Sequence, residues 1–158
     1  MQYFIQLIVV LSFLFQSFSS LSAQEMDAEH KRWLKERFSE QHESLIPIVA
    51  VADMYFACNQ DKNIEPARYP VAKLVMQTDK DILALKLAEC LGEQSVKSEL
   101  AVNYGLKGCF EEQLSRLPAQ EKRQKMKLVT KAIASLTLEE KQKSFSKCVT
   151  QQAIQYLR

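Results

Sequence analysis

Glycine and proline are scarce in this chain, with three and four residues among 158. A sandwich or barrel of many short strands needs frequent turn-makers, so their scarcity argues against an all-β fold. Histidine is scarcer still, at two. His30 and His42 are twelve residues apart, which sets them about 120° apart around a straight helix, so they do not face one metal ion together. His42-Glu43 begins like the zinc-protease pattern, but Ile46 stands where the second histidine belongs. Both histidines are expected on a solvated surface.

Other absences narrow the chemistry. No Cys-x-x-Cys pair occurs, which removes both a thioredoxin-like redox motif and the usual spacing of a zinc site. No Gly-rich phosphate loop, nucleophile elbow or nucleotide fingerprint is present. Charge of one sign is not in excess either: 21 basic against 19 acidic residues leave a net +2. That balance gives no general pull toward nucleic acid or anionic membranes. The chain is therefore expected to be noncatalytic, without cofactor or metal, and not a nucleic-acid binder.

What is there points outward from the cell. Tyr3–Phe15 is an apolar run broken only by Gln6 and Ser12, followed by small residues at Ser20, Ser22 and Ala23. This is the pattern of a cleavable export signal, residues 1–23, although no Lys or Arg precedes the run. The run is about 13 residues, short of the ~20 that span a bilayer, so no stable membrane anchor is expected. Residues 24–158 suit one domain, and at 47% hydrophobic the chain is too apolar to be disordered.

Four cysteines, Cys58, Cys90, Cys109 and Cys148, fit an exported protein as two disulfides. The surrounding pattern is helical throughout. A first helix is expected over Glu25–Glu43, with Met26, Trp33, Leu34 and Phe38 near one face. A second, apolar almost all round, is expected over Leu45–Cys58, with Pro47 in its first turn. After a polar loop over Asn59–Tyr69, a short helix opens at Pro70. Thr78 is expected to cap the next helix, which carries Ile82, Leu83, Leu85, Leu87 and Leu91 and stops near Gly92. Another runs from Ser95 or Ser98 to Leu117, where Gly105 and Gly108 mark a bend or a close helix contact. Pro118 opens a basic helix, and the pair Thr137 and Glu140 makes a capping box for the last one.

The expected fold is thus all-α, a bundle of about six or seven helices. A faint repeat suggests two three-helix units: shifted by 58 residues, Val71, Lys73, Cys90 and Gln94 meet Val129, Lys131, Cys148 and Gln152. In each half one cysteine lies late in a helix and the next lies late in the second helix after it. An up-down-up course brings the two together, which favours Cys58–Cys90 with Cys109–Cys148. Cys90–Cys109 with Cys58–Cys148 is the competing arrangement.

Carboxylate pairs at Asp79 and Asp81 and at Glu139 and Glu140 sit at helix starts, where negative charge suits the helix dipole. Glu111 and Glu112 are polar positions on a helix. None marks acid–base chemistry. The densest charge feature is Lys122, Arg123, Lys125 and Lys127 with Lys131 beyond, either a solvated face or a docking surface for an acidic partner. Trp33 is either a clamp to the core or an exposed anchor for a partner. Tyr55, Phe56, Tyr104 and Phe110 are expected to pack in the core, the alternative being a small apolar ligand cavity.

No motif names a substrate. The leading expectation is an exported protein of the bacterial envelope that binds another protein, such as an immunity protein or an accessory factor of a secretion or pilus system. The alternatives are an extracellular carrier of a small hydrophobic ligand and an enzyme of unrecognised type. Oligomeric state and source kingdom stay open.

Overall fold

In the computed structural model, residues 19–66 and 69–157 are described, with side chains from 29 onward. Six helices account for the regular structure among these residues: α1 (Ser19–Lys62), α2 (Val71–Gln77), α3 (Lys80–Leu91), α4 (Glu99–Gln113), α5 (Ala119–Ser135) and α6 (Leu138–Gln155). No strand occurs among the described residues. The all-α expectation holds. The chain divides into two units, Met1–Gln41 and His42–Arg158. The apolar run Tyr3–Phe15 lies outside the described residues, and the expected cleavage point after Ala23 falls early in α1. Among the described residues no helix is long and apolar enough to cross a membrane.

The first correction concerns α1. Two helices were expected, over Glu25–Glu43 and Leu45–Cys58, but one continuous helix covers both and Pro47 lies inside it. Proline in a helix interior removes one backbone bond and costs about 3 kcal/mol. Nothing else in Gln41–Ile48 stops a helix, since no glycine or second proline is there, so the helix runs through. It ends instead at Asn63, whose φ of 52° is the left-handed turn that asparagine tolerates at a helix end. The polar loop consequently starts at Asn63 rather than Asn59. Buried Asn59 ties that loop down: its Oδ1 accepts from the Glu65 N–H at 2.7 Å.

In the His42–Arg158 unit the later half of α1 is central. Val49, Ala52, Met54, Tyr55, Ala57 and Cys58 are all buried, as a helix apolar on every side requires. α2 adds Val71, Leu74 and Val75 and packs against α4. α3 begins one residue later than expected: Asp79, not Thr78, is its cap, accepting from the Asp81 and Ile82 N–H groups at 2.9 and 3.1 Å. Its Leu83, Leu87, Cys90 and Leu91 face inward, while Ile82 and Leu85 face out. Gly92 ends it with φ 63°.

α4 is capped by Ser98 and ends at Gln113, four residues short of the expected Leu117. It packs on both α5 and α6. Its glycines are contact points, as expected: a Cβ on Gly105 would meet the Phe145 ring at 2.4 Å, and one on Gly108 would meet the Asp53 carbonyl oxygen at 2.1 Å. α6 starts with the expected capping box of Thr137 and Glu140 and buries Phe145, Cys148, Val149 and Ala153. Buried Lys141 on α6 pairs with Glu99 at 2.5 Å, tying α6 to the start of α4.

The cysteines pair as Cys58–Cys90 and Cys109–Cys148, with Cα separations of 6.3 and 6.4 Å. The competing arrangement is excluded. One bond joins α1 to α3 and the other joins α4 to α6, so each spans a three-helix segment. Residues matched by the 58-residue shift hold matching places: Val75 and Ile133, Leu87 and Phe145, Cys90 and Cys148, and Leu91 and Val149 are all buried. Two pairs depart from the match: Gln94 is exposed where Gln152 is buried, and Val71 is buried where Val129 is half-buried.

Candidate functional site

α5 is the least buried helix of its unit. Only Ile133 is buried, with Val129 half-buried beneath it. Seating one narrow stripe leaves the rest of the helix to polar residues, and here these are mostly cationic. Arg123, Lys127 and Lys131 recur at intervals of four and therefore form one ridge. The ridge borders a groove of about 850 Å³, to which α4 contributes Lys107 and α1 contributes Ala57. Lys107 was not legible as a site residue, because its place beside α5 depends on how the helices pack.

Two carboxylates also line this groove, and both are engaged. Glu111 on α4 pairs with Lys122 at 2.5 Å, a strut between α4 and α5. Asp61 accepts from the Tyr104 hydroxyl at 2.7 Å. Burial, then the Asp61 carboxylate, push the Tyr104 phenol up to about 12, so it remains a donor. Lys107, Arg123, Lys127 and Lys131 take part in no ion pair among the described residues. The groove thus holds five cations against two carboxylates, a larger net charge than the +2 of the entire chain.

The sequence run does not enter whole. Lys122, Arg123, Lys127 and Lys131 line the groove, whereas Lys125 does not and instead pairs with Glu121 one turn earlier, at 3.1 Å. Such an exposed pair contributes only about 0.3–0.5 kcal/mol. Trp33 belongs to the Met1–Gln41 unit and is 53% exposed, with the His30 ring stacked on it at 5.9 Å. Leu34 and Phe38 of the same unit are exposed as well. His42 is also corrected: it is half-buried, and its Nε2 lies 2.9 Å from the Thr150 carbonyl oxygen of α6. Tyr55 and Tyr104 are buried in the core, with Phe56 and Phe110 packed partly against it.

One buried polar cluster escaped the sequence reading. Asp53 is fully buried (0% exposed), and its Oδ1 accepts from Gln152 Nε2 at 3.2 Å. The same amide nitrogen donates to the Tyr156 hydroxyl at 3.3 Å, while Asp53 Oδ2 has no partner. Burial raises the Asp53 carboxyl well above its ordinary range, and the Gln152 bond only partly opposes this. Between the unfolded and folded values the native state holds the extra proton, so stability falls as pH rises from about 4. Asp53→Asn retains an acceptor for Gln152 and cannot ionise. The variant should melt higher than wild type at pH 7.5 and show a flatter stability profile from pH 4.5 upward. Thermal unfolding across that range checks this; an unchanged slope would show that Asp53 does not titrate there.

Against known proteins, the chain matches no family model, no curated protein and no solved structure.

Proposed function

We propose that this chain is an exported, noncatalytic protein of the bacterial envelope that acts by binding another protein through the basic side of α5. The observation that carries the reading is the row Arg123, Lys127 and Lys131, left without ion pairs among the described residues and joined by Lys107 across a groove. Clustered, uncompensated charge steers the encounter with an oppositely charged partner and favours it over others. Export is supported by the apolar N-terminal run and by two disulfides, which persist outside the reducing cytosol.

Capture from a host envelope extract tests this, using wild type and the triple charge reversal R123E/K127E/K131E. One protein should be retained in stoichiometric amount by wild type and lost with the variant. Retention that ignores the three substitutions, or no specific retention at all, would refute the proposal. This protein, isolated from its host envelope, should itself begin at Gln24.

A further inference from the structure

We infer that the occupant of the α4–α5 groove is an acidic, amphipathic helix presented by the partner protein. The inference rests on the reading of this face as a protein-binding surface, and it names what the partner must bring. Arg123, Lys127 and Lys131 succeed one another every four residues, so the ridge advances about 6 Å per cation and about 12 Å in all. A partner helix with carboxylates at i, i+4 and i+8 advances by the same step. Each carboxylate then meets one cation. Lys107 on the α4 side offers a fourth charge to the opposite flank of that helix.

The floor between these charges is apolar. Ala57 is buried and Met126 is half-buried among the groove residues. Small side chains on a floor let a partner backbone approach closely, and methionine adapts its shape to what it covers. An occupant therefore needs one apolar stripe beside its acidic row, which is an amphipathic helix.

Backbone chemistry separates a helix from an extended segment. A strand repeats its side chains at a similar spacing, but its N–H and C=O groups would enter the groove without partners. The groove is walled by helices, whose backbone groups are already bonded internally. A helix brings its own backbone bonds with it and leaves none unmet. Nucleic acid would use the same cations, but the two carboxylates on the wall would oppose its evenly spaced phosphates. Glu111 and Asp61 instead suit an occupant whose charge is confined to one row.

The test uses three fluorescent probes against the full exported chain. The first is a 20-residue alanine-rich helical peptide with glutamate at every fourth position and leucine on the adjoining stripe. The second has the same composition in scrambled order, and the third is a 20-base-pair DNA duplex. The ordered peptide should bind with an affinity that weakens as salt rises, and at least about tenfold more tightly than either other probe. The R123E/K127E/K131E variant, checked for an unchanged far-ultraviolet spectrum and melting point, should lose at least about tenfold. Equal binding of the scrambled peptide or the duplex would overturn the inference in favour of a general polyanion surface. If the ordered peptide fails while envelope capture still depends on the three cations, the helix is the wrong occupant and the proposed function stands. If both fail, both fall.

Discussion

Replacing Cys109 and Cys148 together by alanine should lower the unfolding free energy by about 3–5 kcal/mol and the thermal midpoint by roughly 10 °C or more. The bond closes a loop with a sequence separation of 39, and its loss restores to the unfolded chain the conformations that the loop had forbidden. Cys58–Cys90, with a separation of 32, closes a loop of nearly the same entropy. Chain entropy alone therefore predicts equal losses from the two double variants. The surroundings break the tie.

Cys148 Sγ accepts from the Gln113 amide at 3.1 Å, and Gln152 Oε1 lies 2.9 Å from Cys109 Sγ. A sulfur bonded to sulfur has no proton to give, so the second contact is one of packing. Alanine at both positions leaves a void beside two amide side chains and takes the acceptor from Gln113. Around Cys90 the polar contact is different in kind: Lys62 Nζ donates to the Cys90 backbone carbonyl at 2.5 Å, which survives any change of side chain. The Cys109–Cys148 variant should thus be the less stable of the two. Urea unfolding of both, beside wild type with and without reductant, measures the order. Losses below about 1 kcal/mol would mean that neither bond constrains the unfolded chain as the loop argument requires.

The pairing itself was favoured over its competitor by helix order. Once α3 and α6 are each the second helix after the one bearing the earlier cysteine, alternating direction returns the sulfurs to the same end. Helix starts with side-chain caps were legible for a similar reason: Ser98 and Thr137 act within three residues of themselves. Asp79 competed with Thr78 for the same role one residue away, and only the backbone angles decide between such neighbours. Pro47 misled because a proline near polar residues suits the first turn of a new helix as well as the interior of a long one.

The groove was half legible. Arg123, Lys127 and Lys131 share a face whatever the fold, whereas Lys107 and Ala57 reach it only through packing. Lys125 was grouped with them by proximity in sequence, although five residues of helix distribute a charge run over more than one face. Asp53 carried a signal that went unread: it is the lone acid within the apolar stretch Leu45–Cys58. Gln152 carried another, since it lies on the face defined by Phe145, Val149 and Tyr156. Two polar residues on two core-facing surfaces are candidates to meet, and these do.

Gly108 supplies the sharpest separation of local preference from packing. Helix propensity alone makes Gly108→Ala a gain of about 1 kcal/mol within α4. The structure predicts a loss instead. A Cβ there would sit 2.1 Å from the Asp53 carbonyl oxygen and 2.8 Å from its Cα, and backbone atoms of a buried helix cannot swing aside. α1 is held nearby by the Cys58–Cys90 bond and by the hydrogen bond from Gln152 to Asp53. The helices would have to part, at an overpacking cost of about 1–3 kcal/mol or more after the propensity gain.

Gly105→Ala meets a side chain rather than a backbone, the Phe145 ring at 2.4–2.7 Å, so shortening that ring should relieve it. In a double-mutant cycle with Phe145→Leu, Gly105→Ala should show a favourable coupling of about 0.5–3 kcal/mol, and Gly108→Ala should add without coupling. Because Lys107 adjoins Gly108, parting α4 from α1 should also disturb one wall of the groove and weaken the acidic peptide along with the fold. A Gly108→Ala protein at least as stable as wild type would show that α1 and α4 do not approach as closely as this packing demands.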